Sequence, residues 1–143
     1  MARVAIHRED GASAVEMALL VPLLFILVFG IIEFGFAFLQ VQSIKTGLRE
    51  GGRAAAVGAS VADVRAKTVA ASSGSIPSAN QNSVGVSYQG GGTNCNPNNI
   101  GSDVTVSFPT AVLNSGQGIV ISIPMLPDMH ITSTVQAQFR CEV

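Results

Sequence analysis

Between Met17 and Ile32 the chain reads MALLVPLLFILVFGII without a charged side chain, and the apolar run extends from Ala12 to Leu39 with only Glu16 and Glu33 interrupting it. As an α-helix, residues 12–39 span about 42 Å at ~1.5 Å per residue, enough to cross a hydrocarbon core of ~30 Å with tilt or overhang. The two acids are the costly positions, because a carboxylate within a membrane span needs a partner or water. Glu16 is the fifth residue after Gly11 and falls at one edge of the run. Glu33 lies about 25 Å farther along the axis, near the opposite interface, where it can snorkel, be hydrated, or meet another subunit.

A secretory signal peptide also places a short charged stretch before an apolar one, but its apolar core is only ~7–15 residues and ends at a small-residue cleavage site. Here Phe34–Leu39, FGFAFL, continues the run without such a site, so the helix is expected to remain in the mature protein. Arg3 and Arg8 precede the span while Lys45, Arg49 and Arg53 follow it, so counting positive charges does not orient it. The cysteines do. Cys95 and Cys141 are the only two, both in the polar C-terminal half, and read as one disulfide in an oxidising compartment, which places the C-terminus outside. Closing a loop of about 45 residues restricts the unfolded chain by ~4 kcal/mol on the chain-entropy estimate, a useful sum for a small domain. Two unpaired thiols are the alternative; two cysteines without a nearby His supply too few ligands for a metal site.

These residues resemble a known family. The leader MARVAIHREDG, Glu16 after Gly11, and the apolar helix resemble the class III signal of type IV pilins and pseudopilins, which a prepilin peptidase cuts on the cytoplasmic side after the glycine. More narrowly, Gly11 to Leu24, then Phe29–Gly35 (FGIIEFG), then Leu48–Ala55 (LREGGRAA) resemble the TadE-like family of the tight-adherence (Tad, or Flp) pilus system. The resemblance implies cleavage between Gly11 and Ala12, subunit assembly through Glu16, and partners comprising the prepilin peptidase, other Tad pilins or pseudopilins, an inner-membrane assembly platform and membrane lipid. Short major pilins of that system are expected to carry Tyr after the glutamate and to be little more than a helix. Here Met17 follows Glu16 and a substantial C-terminal region is appended, which points to a minor pilin or pseudopilin.

The physics of the signal stands beside the resemblance. In the uncleaved chain Glu16 sits near the cytoplasmic boundary, where its carboxylate stays partly wet. Cleavage creates an α-amine on Ala12 that a carboxylate in a neighbouring helix can pair with, and in an apolar bundle an opposite charge is the cheapest partner. Alternatively, Glu16 accepts hydrogen bonds from the free amides of its own helix's first turn. Pro22 removes a backbone donor and crowds the Ala18 carbonyl, which predicts a mild kink or none.

Beyond the span the helical pattern continues. Val41, Ile44, Leu48 and Ala55 share one face while Lys45, Arg49 and Arg53 form a basic stripe, either solvated or set against anionic headgroups or a partner's acids. Gly47, Gly51, Ala55 and Ala59 recur every fourth residue, so a second helix could approach closely on that side. The Gly51–Gly52 pair weakens the helix by ~1–2 kcal/mol and favours a bend. Ser60-Val61-Ala62-Asp63 has the form of a capping box opening a second helix to about Ala71, with Gly58 as the break before it.

Residues 72–83 are polar and uncharged and read as a linker. Period-two alternation follows: Val84, Val86 and Tyr88; then Val104, Val106 and Phe108; then Ile131, Val135, Ala137 and Phe139 in a strand running to Cys141. Ile119–Ile123 adds a short apolar strand between Gly118 and Pro124. The expected fold is α+β: a leader (1–11), a transmembrane and assembly helix (12–39), a helical stalk (40–71), a linker (72–83), and a small antiparallel β-sheet domain (84–143) packed against the end of the helix.

Parts for catalysis are wanting. His7 falls in the leader and His130 beside a strand, neither near a cysteine or an acid cluster in sequence, and no nucleotide-binding glycine motif or nucleophile elbow occurs. Gly90-Gly91-Gly92 reads as a turn because no helix-forming run follows it. A net charge of −1 with one Tyr and no Trp argues against nucleic-acid binding. The expectation is a non-enzymatic, cofactor-free, single-pass protein of the cytoplasmic membrane, N-terminus inside and C-terminus outside, that oligomerises in a pilus-like filament and contributes to adhesion. A signal-anchored extracytoplasmic binding domain that never enters a filament is the alternative, and the two differ at Gly11.

Overall fold

The computed structural model describes residues 9–143, with side chains from Gly11 onward. Most of the leader, with Arg3, His7 and Arg8, lies outside the described residues. The architecture is α+β: one long helix, a short second helix, and two small antiparallel sheets.

Helix α1 spans Glu9–Ala56 without interruption, through both Pro22 and the Gly51–Gly52 pair. Its exit is a glycine-closed turn in which the Gly58 amide donates to Ala55 O (3.1 Å) and the Ala59 amide to Ala54 O (3.0 Å). Gly58 has φ +84°, the left-handed conformation such a helix end requires and which glycine adopts at least cost. Helix α2 spans Val61–Ala71 and opens as the capping pattern predicts, with Ser60 Oγ accepting from the Asp63 amide at 3.2 Å.

The small residues of α1 divide between two partners. A Cβ built on Gly47 would stand 2.4 Å from Thr68 O, and one on Gly51 would stand 3.2 Å from Val64 O and collide with Thr68 Oγ1, so α2 runs back antiparallel along this face at backbone contact. A Cβ on the adjacent Gly52 would strike the Phe139 ring instead. Gly51 and Gly52 therefore mark the point where α1 is held between α2 on one side and the sheet on the other, and the helix continues through both glycines to Ala56.

The larger sheet has the order β1 (Gly85–Tyr88), β2 (Asp103–Pro109), β5 (Thr134–Arg140), all antiparallel, with Val104 opposite both Tyr88 and Phe139 and Phe108 opposite Val135. Its inner face, Val86, Tyr88, Val104, Val106, Phe108, Val135 and Phe139, joins Ile44, Leu48, Ala55 and Val64 in one core. Its outer face, including Ser87, Thr105, Gln136 and Gln138, stays polar, as the period-two pattern requires.

Two features depart from the sequence reading. The strand expected to run continuously from Ile131 to Cys141 is broken. Ile131 belongs to a separate two-stranded hairpin of β3 (Ile119–Ile121) and β4 (Met129–Ile131). The break is fixed by buried Thr110: its amide donates to Ser133 O, its hydroxyl donates to the same oxygen at 2.9 Å, and its Oγ1 accepts from the Ser133 amide at 2.8 Å. Secondly, residues 72–83 are tied down. Ile76 is fully buried, the Ile76 amide donates to Ser72 Oγ, and Asn80 Nδ2 donates to Val112 O at 3.0 Å.

Cys95 and Cys141 form a disulfide with Cα atoms 5.4 Å apart. It joins the Asn-rich loop to the end of β5, where the Glu142 amide donates to Ala56 O at 3.0 Å, and so closes the domain over the C-terminal end of α1.

Candidate functional site

The burial of α1 changes character along its length. From Gly11 to Leu20 every residue is exposed; Val21, Ile26, Gly30 and Glu33 are half-buried; Ala37, Ile44 and Leu48 are buried. The half-buried positions recur at helical spacing and define one stripe, the side that faces the β3–β4 hairpin and then the core. The rest of the segment is bare, with Leu19 73%, Leu23 65% and Ile31 66% exposed. Contiguous apolar surface on this scale marks contact with lipid or with other protein. Among the described residues there is thus one apolar helix, near the N-terminus, of the length and composition of a single-pass membrane anchor.

Gly11 and Ala12 lie within α1 and are exposed, and Glu16 is exposed four residues beyond Ala12. That spacing puts Ala12 and Glu16 on one helix face, about 6 Å apart along the axis. Glu16 is open to a partner from outside the subunit. Glu33 is placed differently. It falls on the stripe with Gly30 and Ala37, turned toward the subunit's own domain, which leaves it less available to a neighbouring helix than its counterpart.

Gly30 and Gly35 hollow the surface of α1. With Ile31, Phe34 and Phe38 they line an apolar groove, and a Cβ at Gly35 would meet nothing within 4 Å. Farther along, Lys45, Arg49 and Arg53 are exposed, as the basic stripe predicts. Lys45 stands about 18 Å beyond Glu33 by helical rise, more than two Debye lengths at physiological salt.

In the domain, Tyr88 is buried with its hydroxyl lacking a hydrogen-bond partner among the described residues, and burial raises its pKa above the usual value near 10. His130 is exposed on β4 opposite Val120. The three glycines 90–92 all have positive φ and form an exposed turn.

Sequence reasoning did not place the β3–β4 hairpin against the lower part of α1. The signal available was the charge-free stretch from Val104 to Pro127, which ends in Ile123-Pro124-Met125-Leu126-Pro127. Gly47 and Gly51 were legible as a close-approach face, but the partner proves to be the chain's own α2.

Neither a curated protein nor a solved structure matches the chain. Residues 11–53 match the family model for TadE-like protein. The match begins at Gly11, takes in Glu16 and the whole bare part of α1, and ends at Arg53, one residue past the Gly51–Gly52 contact with α2 and the sheet. From Gly11 to Arg53 the N-terminal segment of this chain is thus similar to the TadE-like family.

Proposed function

We propose that the protein is a membrane-anchored pseudopilin or minor pilin of a Tad-type pilus, contributing to pilus assembly and surface adhesion. The observation that carries this reading is an apolar helix left largely bare over its first half, with an exposed acid one turn beyond a Gly–Ala junction, joined to a domain whose core packs on its second half. The same bare surface is served by lipid before assembly and by other pilin helices after it.

Prepilin peptidase cleaves between Gly11 and Ala12 on the cytoplasmic side. In the intact chain this junction lies inside α1, so the first turns unwind to enter the protease, and Gly11, a poor helix former by about 1 kcal/mol relative to Ala, lowers that cost. The new Ala12 amine then pairs with Glu16 of an adjacent subunit. The attraction grows as water is excluded from the bundle, and it fixes the axial register between neighbours. The open surface at Gly35, flanked by Ile31 and Phe38, admits a second helix at close range. The outer domain, closed by its disulfide, caps, initiates or decorates the filament from the extracytoplasmic side.

N-terminal sequencing after co-expression with a prepilin peptidase tests the reading. A mature terminus at Ala12 is expected. A terminus still at Met1 removes its central support and leaves an anchored ectodomain that never joins a filament.

A further inference from the structure

We infer that the tip of the β3–β4 hairpin, Ile123–Pro127, inserts into the acyl chains of the outer leaflet as a second membrane contact beside α1. The inference rests on the reading of α1 as a membrane span, and its geometry is explicit. Ile123 Cδ1 lies 3.6 Å from where a Gly30 Cβ would stand. Beyond it, Pro124 and Met125 face Val21, Pro22, Phe25 and Phe29 across a narrow apolar cleft. The helix residues that the tip faces run from Phe29, about 6 Å below Glu33 by helical rise, to Val21, about 18 Å below it, so the tip reaches past the outer edge of the span into the hydrocarbon. Whatever medium surrounds Phe25 and Phe29 also surrounds Met125.

The tip is built for that medium. Met125 is 84% exposed, Leu126 49% and Met129 57%, and no charged residue occurs between Asp103 and Asp128. Backbone donors are the usual obstacle to a loop in hydrocarbon. Here Pro124 and Pro127 have no N–H, and the Leu126 amide donates to Ile123 O at 3.0 Å within a turn. Met125 occupies the third position of that turn with φ +70°, where glycine or asparagine is the unstrained choice. A long apolar side chain held at a strained and exposed site points outward to a function. Exposed Asp128 and His130 mark where polar surface resumes. A single helix leaves the domain free to turn about the helix axis relative to the bilayer. A second contact removes that freedom and presents one defined face of the domain before assembly.

The chain contains no Trp, so single substitutions report local environment. The full-length protein, reconstituted in phosphatidylcholine vesicles with or without dibrominated acyl chains, is compared as Met125→Trp, Leu126→Trp, Phe25→Trp and Gln136→Trp. Expected are blue-shifted, bromolipid-quenched emission for the first three and unshifted, unquenched emission for Gln136→Trp on the open sheet face. Quenching of Phe25→Trp without quenching of Met125→Trp or Leu126→Trp overturns the inference while leaving the anchor intact. Blue-shifted but unquenched tip variants overturn it in favour of coverage by another protein subunit. An unquenched Phe25→Trp overturns both the span and the insertion.

Discussion

Gly47→Ala tests the closeness of the α1–α2 packing. In an exposed helix this substitution stabilises by about 1 kcal/mol through propensity alone. At Gly47 the new Cβ would stand 2.4 Å from Thr68 O, 3.0 Å from Ser72 Cβ and 3.2 Å from Ser72 N, atoms of backbone or next to it that no side-chain rotation can remove. Helix α2 must shift outward by roughly 1 Å at its C-terminal end, where Ser72 and Ile76 are both buried, and overpacking of this kind costs about 1–3 kcal/mol, occasionally more. Taking the upper end, the net loss is about 2 kcal/mol, a fall of roughly 8 °C in Tm for a folded body of this size. Thermal unfolding of the full chain in detergent micelles, followed by circular dichroism, measures it. Gly51→Ala provides the internal control, because its main obstacle is the Thr68 hydroxyl, which donates to Val64 O at 2.8 Å. Combining it with Thr68→Ala should recover about 1 kcal/mol relative to the sum of the single changes, whereas Gly47→Ala is not rescued. Gly35→Ala, with open space around its Cβ, should cause no loss. A Tm for Gly47→Ala equal to or above that of the parent would refute the close crossing.

Glu16→Ala should leave membrane insertion and cleavage intact while capture of partner pilins falls; undiminished crosslinking to partners would count against the charge pair. Cys141→Ser should destabilise the domain by about 4 kcal/mol, the restriction that closing the loop places on the unfolded chain, and thiol labelling on non-reducing gels should find both cysteines blocked in the parent. Because burial raises the Tyr88 pKa, the folded state holds the phenolic proton more tightly than the unfolded state does. That contribution is complete below pH ~10 and is lost as pH climbs through the raised folded value. Tyr88→Phe should therefore flatten the alkaline decline in stability, and at neutral pH should gain about 1 kcal/mol by removing an unpartnered hydroxyl; an unchanged alkaline limb would contradict this assignment.

Much of the local structure was legible because it is decided by neighbours in sequence. The Ser60–Asp63 cap, the stop at Gly58, and the alternation of Val104, Val106 and Phe108 each follow from a rule that acts over a few residues. The limits of such rules are equally specific. Alternation has no knowledge of strand partners, so Ile131 and Val135 looked like one strand, although the hydrogen bonds of Thr110 to Ser133 separate them. Polarity marks a linker only when nothing holds it, and Ile76 and Asn80 hold residues 72–83 from positions distant in sequence. Of the candidate site, the junction at Gly11–Ala12, the acid at Glu16 and the cysteine pair were visible as residues. The orientation of Glu33 toward its own domain was not.

Sequence alone determined that this chain carries a membrane-length helix with an acid near its start, because an unbroken apolar run and a charge within it are properties of composition and spacing. It also determined the small-residue face at Gly47 and Gly51 and the identity of the only two cysteines. Tertiary structure decided what those features meet. It gave the glycine face to α2, divided Gly51 and Gly52 between a helix and a sheet, and brought an apolar hairpin tip alongside Phe25 and Phe29. Close packing is a relation between surfaces far apart in the chain, and no local pattern records which surface will arrive.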